Sequence, residues 1–185
     1  MQAARGASLT RDRESAPRAS RLGLLLGIAV AAWGVDLVTK VIAERELADR
    51  GAVDVVGSLL RLNLTHNAGA AFSTGTSLTP VIAVFALAAF VVVLVLATRV
   101  RTTGWAWALG LLLAGIAGNL TDRIFRDPGP LRGHVVDFLQ LPHWPIFNVA
   151  DICINAAAVL IVWQSVRGVP LRGREVAEAE TEVDR

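Results

Sequence analysis

Four uncharged apolar runs dictate what this chain can become: Leu22 to Val35, Ser73 to Thr98, Thr102 to Thr121, and Ile152 to Val166. A membrane-spanning helix needs roughly 17–25 mostly apolar residues. The second and third runs meet that length alone. The first and fourth meet it when each takes in one acid, Asp36 and Asp151 respectively. Charged residues make up 18% of the chain, against about 25% in soluble domains. The 185 residues are enough for one domain. The expected fold class is an all-α membrane protein, with four transmembrane helices near 22–41, 78–98, 102–121 and 148–167. These lie in a membrane domain spanning 21–167. The tails 1–20 and 168–185 lack an apolar period and are expected to be disordered.

The first run also has features of a cleaved signal peptide. Arginines precede it, and Ala29-Val30-Ala31 resembles a cleavage site. The apolar pattern nevertheless continues through Trp33, Val35, Leu37, Val38, Val41 and Ile42, which favours a retained helix. Orientation follows from the basic residues. The N-terminal tail, the Arg99–Arg101 link and the C-terminal tail together carry eleven arginines, whereas loops 43–72 and 123–141 carry three each. Both termini are therefore expected in the cytoplasm and both long loops outside. Of 18 basic residues only Lys40 is lysine. The basic residues flank apolar runs and form no stripe interleaved with aromatics, which argues against nucleic-acid binding. The lone Cys153 cannot form an internal disulfide and reads as a small buried apolar side chain.

This topology collects the unusual polar residues at the outer ends of the helices: Asp36 and Lys40, Asn63 to Phe72, Asn119 with Asp122 and Arg123, then Asn148 and Asp151. Leu22 to Val35 rises only about 21 Å, less than the roughly 30 Å hydrocarbon core. Asp36, and by the same reasoning Asp151, thus lies near the outer boundary. Ionisable groups there are costly and face a bundle interior or a cavity.

Each feature also has a plain structural reading. Asp36 and Lys40 are spaced as a helical i,i+4 ion pair. Arg123 has the reach to snorkel to headgroups. Asn148-Val149-Ala150-Asp151 reads as an N-cap with an acid at N3. His66, His134 and His143 lack metal-ligand spacing, so no metal is expected. Ser73 and Lys40 suggest a Ser–Lys pair, but nothing in the sequence brings them together. Gly110, Ala114 and Gly118, four apart, suggest a helix-packing ridge. Leu59 to Leu64 has strand character, and Gly57, Gly69 and Gly75 offer turn points, so a small external β-containing cradle is expected.

Five elements in order, across residues 36–151, carry a resemblance to a known family. They are Asp36-Leu37-Val38-Thr39-Lys40, Asn67-Ala68-Gly69-Ala70-Ala71-Phe72-Ser73, Gly118-Asn119-Leu120-Thr121-Asp122-Arg123, Val135-Val136-Asp137-Phe138 and Phe147-Asn148-Val149-Ala150-Asp151. Together they resemble lipoprotein signal peptidase, or signal peptidase II. The segment Arg126 to Arg132 is longer than that pattern leads one to expect. The resemblance implies a catalytic pair, Asp137 and Asp151. It also implies supporting roles for Asp36, Lys40, Asn67, Asn119, Arg123 and Asn148. Spacing alone does not separate Asp137 from Asp122 or Asp127. It further implies a bacterial plasma-membrane protease that cuts diacylglyceryl-modified prolipoproteins just before the lipidated cysteine, with no metal or organic cofactor. Membrane lipids and prolipoproteins are the expected partners, with the chain acting as a monomer.

Two other classes compete. A proton-coupled transporter places its acids near the midplane, usually within repeated halves; here the acids sit at one edge and no repeat is visible. A non-catalytic assembly factor would not depend on Asp137 or Asp151.

Overall fold

The computed structural model describes residues 18–69 and 78–172, with side chains from residue 21 onward. Ala70 to Ser73 of the second motif, the turn point Gly75, and most of the expected tails lie outside the described residues.

Among the described residues four helices are long and apolar enough to cross a membrane. They are α1 (Arg18–Leu47), α2 (Thr79–Ala97), α3 (Thr103–Phe125) and α4 (Val149–Val166). Helix starts follow local chemistry. Pro80 stands in the first turn of α2, where its missing N–H costs nothing. The Thr102 hydroxyl caps α3 by accepting from Trp105 N at 3.4 Å. Helix α1 runs past Ile42, where the apolar period read from the sequence stops. Its 30 residues rise about 45 Å, more than a bilayer core. In its last turns Ala43 and Leu47 pack on Phe138.

Helix α3 is the hub. Half of its most apolar stretch is buried, against 17–22% for the other three helices. Its small residues allow this. A methyl group at Gly110 would meet Leu25 O of α1 at 2.9 Å, and one at Gly115 would meet Ala150 O and Ile154 Cγ1 of α4 at 2.5 Å. At Gly118 the added methyl would run into the Asp36 carboxylate. With lipid as apolar as leucine, such backbone-close packing holds helices together better than hydrophobicity does.

Among the described residues three antiparallel strands form one sheet in the order β1 (Val53–Val56), β2 (Leu60–Asn67) and β3 (Val135–Gln140). The β1–β2 turn uses Gly57 at φ 51°, a conformation that disfavours a side chain. Strand β2 takes up Leu60 to Leu64 of the segment with strand character, while Leu59 falls in the turn before it; β1 and β3 carry no such signal in the sequence. In the β2–β3 register Thr65 faces Asp137 and Asn67 faces Val135. The long segment after α3 folds back on itself. Gly129 N donates to Arg126 O, Gly133 N to Arg123 O and His134 N to Asp127 O, each at 3.1 Å. Its extra residues are thereby taken up in turns at the end of α3, and Val135 enters the sheet directly.

At the opposite end, within the segment 168–185 expected to be a tail, residues 168–171 are tied down. Trp105 Nε1 donates to Val169 O at 2.8 Å, and Arg101 N donates to Leu171 O at 3.1 Å.

Candidate active site

The first turn of α4 builds the site from its backbone. Asn148 is the N-cap: its Oδ1 accepts from Asp151 N at 3.0 Å, and Asp151 Oδ2 accepts from Asn148 N at 3.2 Å. This reciprocal capping box satisfies helix-end donors and fixes the Asp151 side chain in one rotamer. The N–H one residue earlier, on Ala150, donates to Asp36 Oδ1 at 2.8 Å. Helix α1 thus caps α4 from the side.

Asparagines join the two candidate acids. Asn148 Nδ2 donates to Asp137 Oδ1 at 2.6 Å and lies 3.1 Å from Asn119 Oδ1. Asn67 Nδ2, from the neighbouring strand, donates to Asp137 Oδ2 at 3.1 Å. Asn119 Nδ2 donates to Asp151 Oδ1 at 2.9 Å. Each carboxylate is held by neutral amides, which orient it without pairing away its charge. Asp137 is nearly buried, and its pKa is pushed up to about 6. Burial is the main cause, the Asn67 hydrogen bond opposes it, and the charge of Asp151 raises it further.

Lys40 braces the arrangement. It is fully buried, with Nζ 2.8 Å from Asp36 Oδ2, 2.7 Å from Asp122 Oδ2 and 3.2 Å from Asn119 Oδ1. The ammonium thus sits between two carboxylates, with which it pairs, and an amide oxygen, to which it donates. The two acids hold the backbone next to each candidate catalytic residue: Asp36 takes Ala150 N, beside Asp151, and Asp122 Oδ2 takes Val136 N at 3.3 Å, beside Asp137. Asp122 Oδ1 accepts from Arg126 Nε at 2.5 Å, and Arg126 Nη1 reaches Glu44 Oε1 at 2.5 Å. Arg123 is buried and does not snorkel; its Nη2 donates to Gly69 O at 2.8 Å. Its Nη1 is buried and has no partner among the described residues.

Asp137, Asp151, Asn67, Asn119 and Arg123 line one cavity of about 690 Å³. Asp36, Lys40 and Asn148 stand directly behind it. All eight site residues named from the sequence therefore meet at one end of the bundle. Sequence reasoning gave no individual role to Asp122, Glu44 or Arg126. The i,i+4 spacings Lys40–Glu44 and Asp122–Arg126 were the available signal. It also missed the apolar wall of Trp144, Phe147, Ile152 and Val159. Ser73 lies outside the described residues. Among the described residues no group of three or more His, Cys, Asp or Glu is placed to hold a metal ion.

The fold and this cavity define a class: a multi-pass membrane protein with a buried acid–amide site at one end of its bundle. A family model described as signal peptidase (SPase) II matches residues 28–167. The lipoprotein signal peptidase of Mycobacterium avium is 43% identical over 163 residues, covering 88% of this chain and 87% of its own. That of Mycobacterium tuberculosis is 44% identical over 148 residues, covering 80% and 73%. That of Streptomyces coelicolor is 42% identical over 149 residues, with the same coverage. Two solved structures of bacterial membrane enzymes share the fold. One has a TM-score of 0.69 at 24% identity, covering 78% of this chain and 88% of its own. The other has a TM-score of 0.66 at 26% identity, covering 76% and 90%.

The chain belongs to the signal peptidase II family. It is accordingly a protease, and a multi-pass protein of the bacterial inner membrane.

Proposed function

We propose that this chain removes signal peptides from diacylglyceryl-modified prolipoproteins by an aspartic mechanism, with Asp137 and Asp151 as the reacting pair. The observation that carries the reading is the Asn148 bridge. One asparagine side chain binds Asp137 Oδ1 and caps the backbone of Asp151, so the two acids address one cavity. Two carboxyls so placed share a proton. The ionised member takes a proton from a water molecule as that water attacks the scissile carbonyl. The protonated member donates to the carbonyl oxygen. The resulting tetrahedral species collapses, the proton passes to the leaving nitrogen, and no covalent enzyme intermediate forms. The low dielectric at the membrane edge strengthens these interactions.

Asn67, Asn119 and Asn148 keep the acids oriented, while Asp36 holds the backbone beside Asp151 and Lys40 pairs with Asp36. Arg123, whose Nη1 has no partner among the described residues, binds a substrate carbonyl. The arginine distribution supports cytoplasmic termini and an external site, with residues 21–167 as the membrane domain and 1–20 and 168–185 as cytoplasmic tails. The protein works as a monomer among membrane lipids.

The test is purified protein incubated with a diacylated prolipoprotein, read by mobility shift. Asp137→Asn and Asp151→Asn should each abolish cleavage while inserting normally. Near-full activity in either variant refutes the dyad. Single cysteines at Arg50 and Arg99, in a Cys153→Ala background, should label from outside and inside respectively.

A further inference from the structure

The cavity continues past the two acids. Below Asp151, residues Ile152, Asn155, Ala156 and Val159 all line it. Their spacing, i, i+3, i+4 and i+7, makes one continuous stripe on α4. The stripe runs from the reacting end into the apolar depth of the bilayer, and Asn155 is its one polar side chain. Four residues of helix place it about 6 Å deeper than Asp151. It is exposed amid Ile152, Val159 and Val162, which are exposed too. One amide hydrogen of Asn155 is used within the helix, Nδ2 donating to Asp151 O at 2.8 Å. The second amide hydrogen and Oδ1 have no partner among the described residues.

An unpartnered amide facing hydrocarbon is costly, so the position calls for a ligand with a polar group at that depth. The substrate class proposed above supplies one. The scissile bond precedes a cysteine whose sulfur carries glycerol, and the fatty chains join that glycerol through esters. When the scissile carbonyl sits at Asp137 and Asp151, the cysteine side chain and glycerol lead down the α4 stripe. Their ester carbonyls, acceptors only, then fall at the level of the free Asn155 N–H.

We propose that Asn155 is a specificity-determining residue that donates a hydrogen bond to an ester carbonyl of the substrate's diacylglyceryl group, with Ile152, Ala156 and Val159 flanking the acyl chain. This rests on the prolipoprotein reading of the site.

The experiment uses the full chain in lipid nanodiscs and two synthetic lipopeptides, identical except that the fatty chains are ester-linked in one and ether-linked in the other. Wild type should show the lower KM on the ester. Asn155→Leu should raise the ester-to-ether KM ratio about tenfold, the worth of one buried hydrogen bond, so that the preference for the ester disappears. Asn155→Gln should recover part of the loss. An equal loss on both lipopeptides would mean that Asn155 acts only through the α4 backbone at Asp151. Equal loss, or no loss at all, overturns the proposal. Binding of both lipopeptides is also measured by tryptophan fluorescence, comparing Asp137→Asn with Asp137→Asn/Asn155→Leu. If wild type cleaves neither lipopeptide, the peptidase reading falls. The binding comparison still decides the ester contact, since a preference for the ester lost with Asn155→Leu supports it and its absence overturns it.

Discussion

Replacing Asp137 by asparagine should abolish cleavage and make the protein progressively more stable relative to wild type as pH rises. Asp137 lies in β3, outside the spanning helices, so its carboxyl is exposed to water when the sheet unfolds. Its pKa goes from 3.8 unfolded to about 6 folded. The folded state therefore binds more protons between these values, and wild-type stability falls as pH climbs through that window. The full loss is about two pKa units, or about 3 kcal/mol at 1.36 kcal/mol per unit. It develops mostly between pH 4 and pH 6 and is complete above. Asparagine does not titrate, so the variant escapes this loss. It also faces Asn67 Nδ2 and Asn148 Nδ2 with one amide donor in place of an acceptor. That mismatch costs about 1–3 kcal/mol, but it offsets the whole curve and leaves its slope alone. Thermal unfolding in detergent, followed by tryptophan fluorescence from pH 3.5 to 8, measures the gap between the two proteins. The gap should move in favour of the variant by about 3 kcal/mol across the series. A pH-independent gap, or one moving the other way, would refute the desolvated-carboxyl argument.

Lys40→Met should destabilise the protein by about 3–5 kcal/mol, because it leaves buried Asp36 without its cation; adding Asp36→Asn should recover much of that loss, read by the same unfolding assay. Gly115→Ala should cost about 1–3 kcal/mol by pushing α4 off α3. It should also lower activity, since the clash falls at Ala150 O, one residue before Asp151. Hydrogen–deuterium exchange should show stronger protection of residues 53–67 when substrate is added, and unchanged protection would count against a substrate-binding cradle.

The spans were legible because lipid leaves a long apolar run few alternatives. The helix-end chemistry was legible too: Asn148 and Asp151 are four positions of sequence that contain both halves of a capping box. The sheet was harder to read. Val135 to Phe138 is buried through neighbours it meets only in three dimensions, Phe138 against Ala43 and Leu47 and Val136 N against Asp122. Its strand character comes from tertiary contact, not from alternation. The continuation of α1 to Leu47 escaped for the same reason. The helix outlasts its apolar period because the sheet covers one side of its final turns. Choosing Asp137 over Asp122 needed the family resemblance. Both acids are buried, but Asp122 is engaged by Lys40 and Arg126, whereas Asp137 meets only amides. That difference in partners lies across remote segments and leaves no trace in local spacing.

The one lysine of the chain is enclosed completely in the fold, so the folded protein offers acylating reagents no side-chain amine. Modification at Lys40 then requires the bundle to open. The rate at which an amine-reactive ester labels this position becomes a clock for that opening, readable in native membranes by the mass of a single peptide.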